Sequence, residues 1–376
     1  MIPFLGEHYA NPSSLHQPAQ RIRYAVETAR EQVAGLIHAR PRQIVFTSSG
    51  TESNHLAIRG LLGARPDKRH VITTAVEHDC IIRLCDGLER DGFRVTRIGV
   101  DAEGRLDLER MEATITPETA LLSVMYANNE TGVIFPIDRI GEIAQRHGMP
   151  LHVDAVQAVG KIPVDVRTAP VDLLSFAAHK LHGPKGVGAL YVRQGLRLRP
   201  QFVGGHQEHG LRAGTENVPG IVGFGVAAEQ AAECLPEEAG RVRALRDRLE
   251  AGILGRVPYA RRIGDAACRL PNTTCIGFAA LEAEAVLIVL SSHGICASSG
   301  SACSSGSLEP SRVLTTMGIA RELIHGAIRF SLSRFNTVEE IDRVVDTLPS
   351  LLKRLESLSG TPASPPADRL VAPHDS

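Results

Sequence analysis

Tryptophan is absent from the 376 residues, and several signatures that would narrow the function class are absent too. No apolar run reaches the roughly 18 residues that a membrane-spanning helix needs. The N-terminus lacks the basic and apolar regions of a secretory signal. The sequence therefore reads as cytosolic, a cytoplasmic protein without a membrane partner. There is no basic or acidic block and the formal net charge is −1, so nothing points to nucleic acid. The seven cysteines are an odd number, scattered without a CxxC pair, which argues against a disulfide framework and against a zinc knuckle. No GxxxxGK(S/T) nucleotide loop and no internal repeat occurs. Gly223-Phe224-Gly225-Val226-Ala227-Ala228 matches the GxGxxA pattern formally, but no strand leads into it, and it reads as helix packing.

What is present is an ordinary enzyme composition, 43% hydrophobic and 22% charged, on a chain long enough for two domains and a sizeable core. Apolar spacing through Ile22, Ala25, Val26, Ala29, Val33 and Leu36 predicts a helix over about Pro18–Ile37. Short strands are expected at Ile44–Thr47, Val71–Thr74, Leu121–Met125, Leu151–Asp154 and Val171–Phe176, with helices at Ser53–Leu62 and Ile137–His147 between them. Alternation of this kind predicts an α/β fold, a large domain with a mainly parallel open sheet flanked by helices and its site at the strand C-terminal ends. A helix from Val218 to Leu235 leads into a smaller α+β C-terminal domain. That domain is expected to hold helices at Glu238–Gly252, Ala283–His293 and Val338–Leu358, and strands near Asn272–Gly277 and Ala327–Leu332. The boundaries follow: 1–235 large, 236–358 small, and a Pro-, Ser- and Ala-rich tail over 359–376 that should be disordered.

Polar residues collect where the strands stop. The strand VDLLSF runs into Ala177-Ala178-His179-Lys180 and a Gly-Pro turn, placing a lysine where backbone can approach a ligand. A partly desolvated lysine beside other cations can act as an amine nucleophile, although a surface lysine at a turn fits the stretch equally well. Asp154 ends the preceding strand, where a carboxylate could pair with a pyridinium nitrogen. Ser48-Ser49-Gly50-Thr51-Glu52 lies between a strand and a helix, a ready anion site that is also an ordinary helix cap. His78 ends another strand and could stack on a flat ring, and Asn129 could reach a ring oxygen. Thr215 offers a hydroxyl in a glycine-rich loop. Cys303 sits inside a Ser/Gly-rich stretch, 297–307, as a linker cysteine or as a thiol on a mobile arm. Arg329 lies in a short strand and suits a substrate carboxylate.

Taken together, NPSSLH (11–16), FTSSGTESNHLAI (46–58), VEH (76–78), ANNETG (127–132), HVDAVQ (152–157), HKLHGPKG (179–186), RAGTENV (212–218), SSGSACSSGSLEPSRVL (298–314) and IRFSLSRF (328–335) resemble the cysteine desulfurases. These are fold-type I pyridoxal phosphate enzymes of the class V aminotransferase group, and the resemblance is closest to the nitrogen-fixation type. It implies that Lys180 carries pyridoxal phosphate as a Schiff base, with Asp154 on the ring nitrogen, Asn129 and Gln157 on the ring oxygen and His78 stacked on the ring. Gly50, Thr51 and His179 would bind the phosphate, joined by Thr215 from the other subunit of a homodimer. Arg329 would hold L-cysteine, and Cys303 would take its sulfur as a persulfide for an iron–sulfur scaffold or another acceptor, leaving alanine. Two departures stand out. The chain begins short of the family's Asp-Asn-x-Ala-Thr-Thr segment, and Ala177-Ala178 replaces the family's Ser-Gly before His-Lys, removing one phosphate-binding hydroxyl. The alternatives are a selenocysteine lyase or other lyase of the same fold, or a cofactor-poor homologue acting as a binding partner.

Overall fold

A parallel strand covered on both faces reads as a continuous apolar run, without alternation. Four segments of the chain are parallel strands buried along their whole length, and they lie inside a seven-stranded sheet. In chain order its strands are β1 (Ile44–Thr47), β2 (His70–Thr74), β3 (Arg94–Ile98), β4 (Thr119–Met125), β5 (Leu151–Asp154), β6 (Leu173–Ala177) and β7 (Gly188–Val192). Their spatial order is β1-β7-β6-β5-β4-β2-β3. Only β7 runs against the others: it pairs antiparallel with β1 and β6, while β6, β5, β4, β2 and β3 pair in parallel. The computed structural model describes residues 1–279, 281–300 and 310–359.

The chain divides into two units. The first comprises Met1–Ile98, Leu108–Tyr126 and Pro136–Pro236, and the second Gly99–Asp107, Ala127–Phe135 and Glu237–Ser376. In the first unit the strands are tied by buried neutral histidines as well as by their ladder. The ring nitrogens of His70 lie 2.8 Å from Thr119 Oγ1 and 2.9 Å from Thr96 Oγ1. Those of His152 lie 2.8 Å from Ser123 Oγ and 3.0 Å from Ser175 Oγ. Burial pushes His70 down to about 4 and His152 down to about 3, so both stay uncharged near neutrality.

The helix Gln17–Leu36 buries the stripe Ile22, Val26, Ala29, Val33. A Cβ at Gly225 would stand 2.7 Å from Ala29 Cα, so that glycine serves close helix packing, while one at Gly223 would meet Met1 and Pro184. The helix Gly50–Ala64 starts three residues before the expected Ser53, because Ser49 Oγ accepts from Glu52 N at 3.2 Å and caps it. Residues 218–256 form one helix with Pro236 inside it, where the sequence suggested a break.

The second unit holds an antiparallel sheet of β8 (Ala260–Ile263), β9 (Thr273–Phe278), β10 (Ser298–Ser299) and β11 (Ala327–Ser331), in the order β10-β11-β9-β8. Ile341, Val345, Leu348 and Leu352 of the helix Val338–Ser359 are buried. The segment Ala127–Phe135 is stitched to this unit by Ile134 N donating to Cys268 O (2.9 Å) and Leu270 N donating to Gly132 O (2.8 Å). Among the described residues no helix is long and apolar enough to cross a membrane. The expected disordered tail lies outside the described residues from 360 on.

Candidate active site

Because β1, β2, β4, β5 and β6 share one direction, their C-terminal ends open on one edge of the sheet, where the chain leaves each strand in a polar turn. At the end of β5, Asp154 is buried, with Oδ2 accepting from Asn54 Nδ2 at 2.7 Å and Oδ1 accepting from Val156 N at 3.0 Å. Burial holds its carboxyl above the usual carboxylate range, and those hydrogen bonds, with His78 and Lys180 nearby, offset only part of that rise. Asp154, His78 and Lys180 thus share one electrostatic neighbourhood, although they leave three different strands.

His78 follows β2 and caps the helix Asp79–Arg90, its Nδ1 accepting from Cys80 N at 3.2 Å. An accepting Nδ1 leaves the proton of a neutral ring on Nε2. Behind it, Glu77 Oε1 accepts from Thr74 Oγ1 (2.7 Å) and from Met125 N (2.9 Å), locking the end of β2 to the end of β4. Cys80 Sγ is 3.1 Å from His78 Nδ1, and burial pushes its thiol up to about 12, so it stays protonated. After β6 the chain makes one tight turn, Ala178–Leu181, stopped by His182 at φ 62°. Lys180 is half-buried there and His179 exposed. Burial, and then Lys180, Lys161 and Lys185, hold His179 below the usual imidazole range. Gln157 Oε1 accepts from Lys161 Nζ at 2.8 Å.

The turn after β1 packs against the Asp154 turn. A Cβ at Gly50 would lie 2.7 Å from Val156 Cγ2, and one at Gly188 would lie 2.6 Å from the Ser49 carbonyl carbon. Only glycine fits either place. Glu52, three residues past the cap, receives Ser48 N at 2.7 Å and Arg212 Nε at 3.0 Å, which fastens the loop of Thr215 to the start of the helix. Thr51 and Thr215 are exposed. The same loop is anchored from below, where Glu208 accepts from both Arg30 guanidinium nitrogens (2.7 and 2.8 Å) and from Phe46 N (2.7 Å).

Asn129 and Arg329 belong to the second unit, where Arg329 Nη1 donates to Asn129 O at 2.7 Å. Arg329 Nε is buried with no partner among the described residues, a donor left for something else. Cys303 lies outside the described residues. Sequence reasoning missed Asn54 and Cys80. The available signal was that Ser53 and Asn54 continue the buried Ala57–Ile58–Leu61 stripe of their helix, which marks a polar residue turned inward.

A buried, doubly anchored carboxylate, a lysine after the neighbouring strand and a helix N-terminus packed on the turn after the carboxylate strand gather at one edge of the sheet. That donor set fits pyridoxal phosphate: the carboxylate answers a pyridinium, the amine an aldehyde, the helix start a phosphate. The aminotransferase class-V family matches residues 1–344, and the chain belongs to that family, whose members depend on pyridoxal phosphate. It is similar to the cysteine desulfurase of Nostoc sp., 53% identical over 359 residues, covering 96% of this chain and 90% of that one. Among solved structures it is similar to a NifS-like protein, with a TM-score of 0.88, 38% identity and 94% of both chains covered. It is also similar to SspA, solved in complex with cysteine, with a TM-score of 0.78, 36% identity and coverage of 89% of this chain and 94% of that one.

Proposed function

We propose that the protein is a pyridoxal-phosphate-dependent cysteine desulfurase that converts L-cysteine to L-alanine and hands the sulfur, through a persulfide on Cys303, to an iron–sulfur scaffold or another acceptor. The observation that carries this reading is the pairing of β5 with β6, Asp154 opposite Ser175, which sets the buried carboxylate and Lys180 on adjacent strand ends. Bound pyridoxal phosphate supplies an aldehyde and a ring that withdraws electrons from the substrate's carbons.

Each residue then has a definite task. Asp154 keeps a negative charge at the ring nitrogen. Lys180 would hold the cofactor through its amine, and that amine is the base that moves the proton at the substrate Cα. His78 stacks over the ring, with its Nε2–H turned to acid–base work. Gln157 and Asn129 meet the ring oxygen. Gly50, Thr51 and His179 take the phosphate, joined by Thr215 from the second subunit of a homodimer. Arg329 grips the substrate carboxylate, for which its unpartnered Nε is suited. The Cys303 thiolate forms the new S–S bond, the Cβ–S electron pair stays on Cβ, and a proton completes the methyl group of alanine. Thiol and cysteine thereby become persulfide and alanine, with no outside oxidant. The test is alanine release from L-cysteine, followed together with the visible band of the bound cofactor. The expected result is alanine in step with persulfide on Cys303. A loaded protein that releases no alanine would refute the reading.

A further inference from the structure

Asn54 sits one turn into the helix Gly50–Ala64 and is buried, 1% exposed. Its amide nitrogen donates to Asp154 Oδ2 at 2.7 Å and lies 3.4 Å from Cys80 Sγ, which in turn is 3.1 Å from His78 Nδ1. Its carbonyl oxygen is buried without a partner among the described residues. The helix itself does not require an amide here, since an apolar residue would extend the Ala57–Ile58–Leu61 stripe; what it would lose is the donor to Asp154 Oδ2. The donating end is what the position uses.

We infer that Asn54 is a positioning residue for Asp154: it fixes the plane of that carboxylate and, through Cys80, ties its orientation to the His78 ring. The inference rests on the reading of Asp154 given under Proposed function. With Val156 N on Oδ1 and Asn54 Nδ2 on Oδ2, neither oxygen can swing away. An amide donates without losing a proton, so it favours the ionised carboxylate, where an acid at 54 would compete with Asp154 for one proton. The groups facing this carboxylate are Lys180, which supports its charge, and His78, with the protonated Cys80 beside them and Glu77 in the same turn.

The test compares Asn54→Leu, which removes the donor, with the near-isosteric Asn54→Asp, both as cofactor-loaded full chains. Three quantities are read: cofactor affinity by equilibrium dialysis, the pH midpoint of the visible band, and kcat against KM for L-cysteine. A ring nitrogen less firmly protonated withdraws fewer electrons, so the band midpoint should rise in both variants. Cofactor affinity should fall about 10-fold, the loss of one charge-assisted hydrogen bond. kcat should fall by a larger factor with KM nearly unchanged, because the contact matters after substrate is bound. Asp154→Asn serves as the reference. If it moves the band and neither Asn54 variant does, Asn54 is only packing and the inference fails. If Asp154→Asn leaves the band unmoved as well, the assignment of Asp154 fails instead. Should Asn54→Leu not fold, Asn54→Asp alone decides between these outcomes.

Discussion

Replacing Glu208 by alanine should weaken the first unit far more than an ordinary ion-pair deletion. Most salt bridges are worth little because both partners stay in water. This one is buried, with side-chain exposures of 5% for Arg30 and 3% for Glu208. Arg30 also donates to Ile44 O at 3.0 Å, and its guanidinium lies 4.8 Å above the Phe46 ring, so it cannot swing out to solvent. Removing the carboxylate leaves the buried cation with only the half-exposed Glu27, whose carboxylate is 3.2 Å from Arg30 Nε, at about 3–5 kcal/mol. It also leaves Phe46 N without its 2.7 Å acceptor. Alanine can adopt the left-handed turn at φ 46° about as poorly as glutamate, so backbone strain does not separate the two. A loss near 4 kcal/mol corresponds to a fall of about 10 °C in Tm for a unit of this size. Differential scanning calorimetry and urea titration would measure it, and Arg30→Met, alone and together with Glu208→Ala, would complete a double-mutant cycle. The pair of changes should cost much less than the sum of the singles, because no charge is then left behind. A Glu208→Ala loss below about 1 kcal/mol, or strict additivity in the cycle, would refute the reasoning.

Three further outcomes are expected. Lys180→Ala should abolish turnover and the band of the lysine-linked cofactor together, read by alanine assay and absorbance; a variant that keeps both would remove Lys180 from the chemistry. Ala177→Ser should tighten cofactor binding by about 1 kcal/mol, since Ala177 Cβ is 3.8 Å from a Cβ built on Gly50, at the proposed phosphate turn. Unchanged affinity in dialysis would mean that another donor already occupies that place. Stability should fall in acid through His152, whose folded value near 3 lies below an unfolded value of about 6.5. Its contribution is complete above 6.5 and is lost on going down toward 3, at up to about 1.4 kcal/mol per pH unit. Urea midpoints at pH 7, 6 and 5 should show a shallower decline in His152→Gln, and equal slopes would dispose of the idea.

How far the sequence could be read depended on whether a segment's surroundings were local. β2, β4, β5 and β6 are wholly buried and read as apolar runs. β3 (Arg-Val-Thr-Arg-Ile) is an edge strand, exposed at its first residue and only partly buried over the next three, and escaped notice for that reason. β7 was hidden because it begins at Gly188, inside what reads as a glycine turn. The strand-end positions of Asp154, His78 and Lys180 were legible because polar residues closing apolar runs are a local pattern. Asn54 was not, since its partner is a hundred residues away. The helix through Pro236 was read as broken because proline forfeits one ladder bond, a local cost that the rest of the helix offsets.

That β7 alone runs against the other strands of the seven-stranded sheet shapes how the chain comes off the ribosome. Among the described residues β1 sits at the sheet edge with β7 as its one strand partner, Ile44 opposite Tyr191 and Thr47 opposite Gly188. Everything between them must be made first, which at about 5–20 residues per second takes on the order of 10 s. Through that interval Ile-Val-Phe-Thr is a hydrophobic strand with an open edge, the kind of segment that pairs with the wrong neighbour. The turn at Ser49 and Gly50 can take up its final contact with Gly188 only when the interval ends. The proposed phosphate-binding turn is therefore completed after the Asp154 and Lys180 strands have been synthesised, so a nascent chain released early would carry the amine and the carboxylate without that turn in its final place.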